Sequence, residues 1–198
     1  MKLVLASSNA GKLGELRALL GHSGIDLHAQ SEFGVIDAEE TGTTFIENAL
    51  IKARHATHAT GLPALGDDSG ICVDALHGAP GLYSARYSGA HGDADANIDR
   101  LLRELDGVAE QQRGARFHCV LALLRHADDP EPIVVEGSWQ GRILSARRGI
   151  GGHGYDPVFL DLASGLSAAE MAPADKNRLS HRGLALAALE RRLPELLL

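Results

Sequence analysis

Aromatic side chains are scarce in this chain: 4% of its 198 residues, with one Trp, three Tyr and four Phe. A folded core must therefore be filled by Leu, Ala, Val and Ile, and an aromatic in a loop is worth notice. Cysteine is scarcer still, at two residues. Cys72 and Cys119 both sit in apolar stretches, which fits buried free thiols in a reducing cytosol; a disulfide framework or a thiolate metal site needs more partners at regular spacing. No apolar run approaches the roughly 20 residues of a membrane span. The opening Met-Lys-Leu-Val-Leu-Ala-Ser-Ser is too short for a signal peptide and leads straight into a strand pattern. Basic charge is outweighed, with 19 Lys and Arg against 26 Asp and Glu, a net charge of −7. That argues against a broad basic face for nucleic acid, although Lys176, Arg178 and Arg182 leave room for a small basic pocket. What is present, 44% hydrophobic and 23% charged residues, suits a folded protein. The length suits one domain or two closely packed lobes, with no membrane partner and a cytoplasmic location.

Leu3 to Ala6 reads as a short buried strand, followed by a small-residue breaker from Ser7 to Gly11. Leu13, Leu16, Leu19 and Leu20 then recur at helical spacing, predicting a helix from about Lys12 to Leu20 that Gly21 and Gly24 end. Thr44-Phe45-Ile46-Glu47 has the spacing of a capping box. The helix it opens carries Phe45, Ala49, Leu50, Ala53 and Ala56 on its apolar face and stops at Gly61 and Pro63. Ala64-Leu65 is expected to lead into a tight turn at Gly66-Asp67-Asp68-Ser69-Gly70, with Ile71-Cys72-Val73 leaving as a second short strand. A Gly- and Tyr-containing loop from Gly78 to Gly89 precedes a helix from about Ala94 to Leu105. Phe117 to Arg125 reads as a central strand, and Pro132 to Gly137 and Trp139 to Leu144 as paired strands. Gly149 to Pro157 is a Gly-rich loop, and a last helix is expected from about Lys176 to Leu189. The order is α/β, and hairpin-like strands in the second half favour a mixed sheet over a parallel one.

The chemistry-bearing residues fall into a few groups. Ser7-Ser8-Asn9-Ala10-Gly11-Lys12 lies between a strand and a helix, where backbone N–H groups and the positive end of the helix dipole cradle phosphate. Lys12 in a first helical turn opposes the dipole, so either it meets an anion there or it extends into water. Asn9 either caps the helix or offers its amide to a ligand. The glycine spacing is not that of a Walker A loop, nor is it the three-glycine dinucleotide fingerprint. Asp67-Asp68 is either a hydrogen-bonded Asx turn or a carboxylate pair that recruits a hard divalent cation. Its position between apolar segments favours a partner or a metal that offsets desolvation. Glu39-Glu40 is either a solvated loop or a second metal ligand, whereas Glu47 is explained by the capping box. Ser180-His181 on one helix would point about 100° apart, which speaks against a serine nucleophile. His181 and Arg182 suit an oxygen-rich ligand better. His55, His58 and His126 form no metal-ligand pattern and read as surface residues.

Taken in order, Ser-Asn-Ala-Gly-Lys (8–12), Glu-Glu-Thr-Gly-Thr-Thr-Phe-Ile-Glu-Asn-Ala (39–49), Asp-Asp-Ser-Gly (67–70), Gly-Tyr-Asp-Pro (154–157), Lys176-Asn177 and Ser-His-Arg-Gly (180–183) resemble the inosine triphosphate pyrophosphatase family. The resemblance covers essentially the whole chain, and the motifs are specific because they recur together in one order. It implies an elongated α/β fold, a single domain over residues 1–198 with two lobes around a long mixed β-sheet, helices packed on it, and an active site in the cleft between the lobes. It implies hydrolysis of ITP, dITP or XTP to the monophosphate and pyrophosphate with Mg²⁺, a homodimer, and no nucleic-acid partner. Carried over by position, Asp68 is the catalytic carboxylate and a metal ligand, with Glu40, or its neighbour Glu39, beside it. Ser7, Ser8, Asn9, Ala10, Gly11 and Lys12 would hold the triphosphate, and Ser69 would contact substrate. His153, Gly154, Tyr155, Asp156, Lys176, His181 and Arg182 would surround the base and the remaining phosphate oxygens. The sequence departs from the pattern in two places: Ser7-Ser8 replaces the commoner Thr-Gly and keeps its hydroxyl and small-residue character, and the family usually has Phe where this chain has His153, whose smaller imidazole can stack and can also titrate.

The expected mechanism places Mg²⁺ on Asp68 and Glu40, with Asp68 also orienting or deprotonating the attacking water and Asp67 steadying the turn. Lys12 and the 7–12 backbone would stabilise the departing pyrophosphate. Donors from His181 and Arg182 aimed at a purine 6-oxo group would disfavour adenine. Two rival functions remain at this point: a pyrophosphatase for other modified nucleotides, and a sensing module that binds nucleotide without cleaving it.

Overall fold

The computed structural model describes residues 1–20, 24–90 and 92–193. Strand β1 (Lys2–Leu5) runs into helix α1 (Ala10–Leu20), followed by strand β2 (Asp26–Ala29) and helix α2 (Phe45–Thr60). Strand β3 (Ala64–Val73), helix α3 (Ala94–Glu104), and strands β4 (Gly114–Leu124), β5 (Ile133–Ile143) and β6 (Phe159–Asp161) follow, and helices α4 (Pro173–Leu179) and α5 (His181–Glu190) close the chain. The strands form one six-stranded sheet in the order β2-β1-β3-β4-β5-β6. β1 is parallel to β2 and to β3, and β5 is antiparallel to β6, so the sheet is mixed, as expected.

Several elements differ from the sequence expectation, each for a physical reason. α1 starts two residues before Lys12, because Asn9 Oδ1 accepts from the Gly11 and Lys12 backbone N–H groups at 2.9 and 3.1 Å and opens the helix there. Of its expected end, Gly21 lies outside the described residues, as does the Leu19 side chain. The Asp67-Asp68 turn is absent: residues 64 to 73 form one continuous strand. Neither Gly66 nor Gly70 takes a positive φ. Gly66 is there because a Cβ would collide with the Ala49 carbonyl oxygen of α2, so the glycine permits close helix–strand approach. The paired strands expected at 132–144 are likewise one strand, β5, whose inward and outward residues alternate without a break through Gly137-Ser138. The last helix is two helices, split at Ser180, which is extended at φ −66° and ψ 156°. Short strands β2 and β6 carried too little pattern to be expected.

The chain gathers into two compact units. The first comprises 1–68, 119–137 and 182–198. Here strand alternation sends Leu3, Leu5, Leu65, Leu121 and Leu123 to one sheet face, against Leu16 and Leu20 of α1 and Leu186 and Leu189 of α5. Val4, Ala6 and Ala64 go to the other face with Ala56 of α2, and Val120 and Ala122 with Ala49. The small stripe Ala49, Ala53, Ala56 is fully buried. Thr44 and Glu47 form the expected capping box, and Gly61 ends α2 at φ 68°.

The second unit comprises 69–118 and 138–181 and holds most of the aromatics. Phe117, Trp139 and Phe159 cluster with ring centroids 4.5 to 6.3 Å apart. Trp139 Nε1 donates to Asp161 Oδ1 at 3.0 Å, which satisfies the buried indole. Tyr87 and Tyr155 complete this core with Ile98, Leu101 and Leu105 of α3.

Candidate active site

In the first unit the site grows from one strand. Because side chains alternate along β3, Asp67 and Asp68 leave it on opposite faces. Asp67, with no exposed surface, points to the α1/α5 face. Its Oδ1 accepts from Lys12 Nζ at 2.5 Å and its Oδ2 from Arg182 Nε at 2.8 Å. Arg182 also pairs with Glu15 of α1. Lys12 therefore does not simply extend into water; it turns back onto Asp67. Burial alone would raise the Asp67 carboxyl, but the Lys12 and Arg182 charges outweigh it and hold it well below the usual carboxylate range. Arg182 is held above its ordinary value because Asp67 outweighs burial.

Asp68 points the other way, toward α2. Its Oδ1 accepts from Lys52 Nζ at 2.6 Å, and the same ammonium donates to Glu40 Oε1 at 3.0 Å. Burial pushes the Asp68 carboxyl above its ordinary value, with Lys52 working against the rise. Burial works to lower the Lys52 ammonium, but Asp68 and Glu40 outweigh it and hold it high. The loop before α2 brings Glu40 here through local bonds: Gly42 N–H donates to Asn48 Oδ1 at 2.8 Å, and Thr43 and Thr44 N–H donate to Glu47. A side chain at Gly42 would strike Glu47 and Asn48. Of the adjacent acids, Glu40 meets Lys52 and Glu39 is exposed.

The loop at 7–12 is anchored from outside. Ser8 N–H and Oγ donate to Asp37 Oδ1 at 3.2 and 2.9 Å, and Gln30 donates to the same oxygen. Ser7 Oγ accepts from Asn9 N–H. Ala10 and Gly11 form the first turn of α1.

Asp68 Oδ2 is buried and has no hydrogen-bond partner among the described residues. No group of three or more His, Cys, Asp or Glu side chains among those residues is arranged to hold a metal. Mg²⁺, however, is commonly held by one or two carboxylates, with water and substrate phosphates completing its shell. The hard oxygens of Asp68 and Glu40, one of them unpartnered, fit that demand.

The second unit gathers a different set. His153 is exposed on the 149–157 loop. Asp156 is buried, accepts from His153 N–H at 2.7 Å and pairs with Lys176 Nζ of α4 at 2.5 Å. Gly152 and Gly154 take φ of 72° and 59°, and a Cβ on Gly152 would collide with the Asp156 carboxylate. Tyr155 is turned into the core and donates to the Ser84 carbonyl at 2.8 Å. Its burial pushes the phenol above its ordinary range. His181 stacks on Phe117 at 4.9 Å and 13°. Ser180, buried and extended between helices, donates its N–H to the Lys176 carbonyl. The helical geometry assumed for Ser180-His181 thus does not apply. Ser69 is half-buried in β3.

A profile of the Ham1 family matches residues 3–192. The chain belongs to the Ham1 family. This family chain is 60% identical over 193 residues to a dITP/XTP pyrophosphatase of Thioalkalivibrio sulfidiphilus, covering 98% of both. It is 55% identical to a dITP/XTP pyrophosphatase of Vibrio cholerae, covering 98% of this chain and 97% of that protein. Its fold matches a HAM1 protein structure from Coxiella burnetii with a TM-score of 0.92 at 47% identity, covering 98% and 99% of the two chains. Within the Ham1 chain two site residues escaped the sequence reading: Lys52 and Glu15. Lys52 had a signal, since it is a lysine on the helical arc of Ala49, Ala53 and Ala56. Glu15 had none, since an acid one turn into a helix is ordinary.

Proposed function

We propose that this Ham1 chain hydrolyses ITP, dITP and XTP to the nucleoside monophosphate and pyrophosphate, cleansing the nucleotide pool. Relatives at 55 to 60% identity over nearly the whole chain bear the name dITP/XTP pyrophosphatase. The observation that carries the chemistry is Asp68: a buried carboxylate tied on one side to Lys52, whose ammonium also binds Glu40, and left with an unpartnered oxygen on the other. A sensing module needs no such group, and burying an ionisable carboxyl costs stability that binding alone does not require.

In this reading Asp68 and Glu40 hold Mg²⁺. Held by these two carboxylates, the ion would supply neutralisation of charge on the phosphate oxygens. Asp68 orients a water and takes its proton as the oxygen bonds to the α-phosphorus; the bond to the β-phosphate oxygen breaks and pyrophosphate leaves. Ser7, Ser8, Asn9, Ala10, Gly11 and Lys12 contact the triphosphate, where the positive end of the α1 dipole favours negative charge. Ser69, His153, Gly154, Tyr155, Asp156, Lys176, His181 and Arg182 serve the nucleoside. Within that set Tyr155 and Asp156 act by holding their loop, because both are buried. Asp67 and Glu15 orient Arg182. A site that donates to a 6-oxo group disfavours a 6-amino group by up to about 10⁴.

The same reading takes the protein as a cytoplasmic homodimer. Two unbridged cysteines suit a reducing compartment, and no helix among the described residues is long and apolar enough to cross a membrane. Incubation with Mg²⁺ and ITP, dITP, XTP, GTP or ATP in parallel tests the function. Pyrophosphate from the first three and little from the last two is the expected result; orthophosphate, or no turnover, would overturn it.

A further inference from the structure

The Lys52 ammonium lies between the two carboxylates proposed to hold the metal, 2.6 Å from Asp68 Oδ1 and 3.0 Å from Glu40 Oε1. It is nearly buried, at 9% exposure, and reaches that position from the helix arc otherwise filled by Ala49, Ala53 and Ala56. A positive charge held between two acids already supplies the neutralisation that would otherwise draw in a cation. We propose that Lys52 is the resident cation of this site, so that the nucleotide-free protein takes up divalent metal poorly and loads it together with a polyphosphate. The inference rests on the reading of Asp68 and Glu40 as metal ligands.

The physical argument is one of competing cations. For a divalent ion to bind Asp68 and Glu40 both, the ammonium has to give up two charge-assisted hydrogen bonds while staying beside the incoming charge. Without another anion nearby, both changes oppose binding. A triphosphate changes the balance, since it is itself an anion and gives the displaced ammonium a new partner. Lys suits this exchange better than Arg, being a compact point charge on a flexible stem rather than a fixed fork. The unpartnered Asp68 Oδ2 is the atom that the ammonium does not cover.

The test is Mn²⁺ binding to the nucleotide-free protein, followed by calorimetry and by the electron paramagnetic resonance signal of free Mn²⁺. Wild type, Lys52→Gln, Lys52→Arg and the double variant Lys52→Gln/Asp68→Asn are compared, each checked for folding by circular dichroism. The expected result is that Lys52→Gln binds Mn²⁺ at least about tenfold more tightly than wild type, as removal of a neighbouring charge predicts. Lys52→Arg, which keeps the charge, should stay as weak as wild type, and Asp68→Asn should abolish the gain. Equal Mn²⁺ affinity for wild type and Lys52→Gln overturns the inference, as does a gain that survives Asp68→Asn. Unfolded Lys52→Gln alongside a folded Lys52→Arg that binds Mn²⁺ tightly would overturn it as well. Failure of the underlying reading looks different: wild-type turnover of ITP that needs no divalent cation removes the metal from Asp68 and Glu40 altogether.

Discussion

Asp67 and Asp68 are neighbours in the chain with opposite electrostatics, and the difference can be measured. Asp67 is held low by Lys12 and Arg182. Its folded pKa is depressed, so its stabilising contribution is present above the unfolded value of about 4 and is lost as pH falls below it. Asp67→Asn should remove that acid dependence. It should also destabilise the protein by about 3–5 kcal/mol at neutral pH, because it leaves the buried Arg182 and the half-buried Lys12 short of their counter-charge; urea melts at about pH 7 and about pH 2 check both. Asp68 is raised by burial. As a proton acceptor it must be ionised, so kcat/KM should fall on the acid side of the pH profile. Asp68→Asn should abolish turnover while nucleotide binding, followed by calorimetry, is largely kept. Near-normal turnover in that variant would remove Asp68 from its role.

Among the elements, the contact of α2 with β3 does most to place the site. It depends on Gly66, where a methyl group would strike the Ala49 carbonyl. Gly66→Ala should cost about 2–3 kcal/mol through forced backbone displacement. The change should also reduce activity, since it pushes Lys52 away from Asp68; a thermal melt paired with an ITP assay reads both. By contrast, Thr44→Ala removes one capping bond at the start of α2 and should cost only about 1 kcal/mol. The break at Ser180 is an element-scale feature too: it lets α4 carry Lys176 to Asp156 in one unit while α5 delivers Arg182 to Asp67 in the other.

At the scale of the whole molecule, the first unit is assembled from three separated chain segments. Its core takes Leu16 and Leu20 from the first, Leu121 and Leu123 from the second, and Leu186 and Leu189 from the third, all nearly or fully buried. A chain ended after Ser180 should therefore fail to fold cooperatively, even though every strand of the sheet precedes that point. Loss of the sigmoidal urea transition, seen by circular dichroism, checks this. Strands β3, β4 and β5 each contribute residues to both units, so the sheet is not divisible into contiguous halves.

Much of this was legible in the residues alone. Helix α2 with its capping box, helix α3, the α/β order and the mixed sheet follow from local signals: spacing, caps and breakers, which act within a few residues. The motifs pointed to the family because side chains that do chemistry are constrained in type. What the residues did not show was where Asp67 and Asp68 point. The Gly-bracketed pair reads as a turn when only neighbours are considered, and becomes a strand because Gly66 meets a helix 17 residues earlier in the chain. The roles of Lys52 and Glu15 were hidden for the same reason. Composition, periodicity and motif order were determined by the sequence itself. The pairing of each charge with its counter-charge was decided only by the tertiary structure, because burial and proximity across distant segments set the energy of an ion, and neither is a local property of the chain.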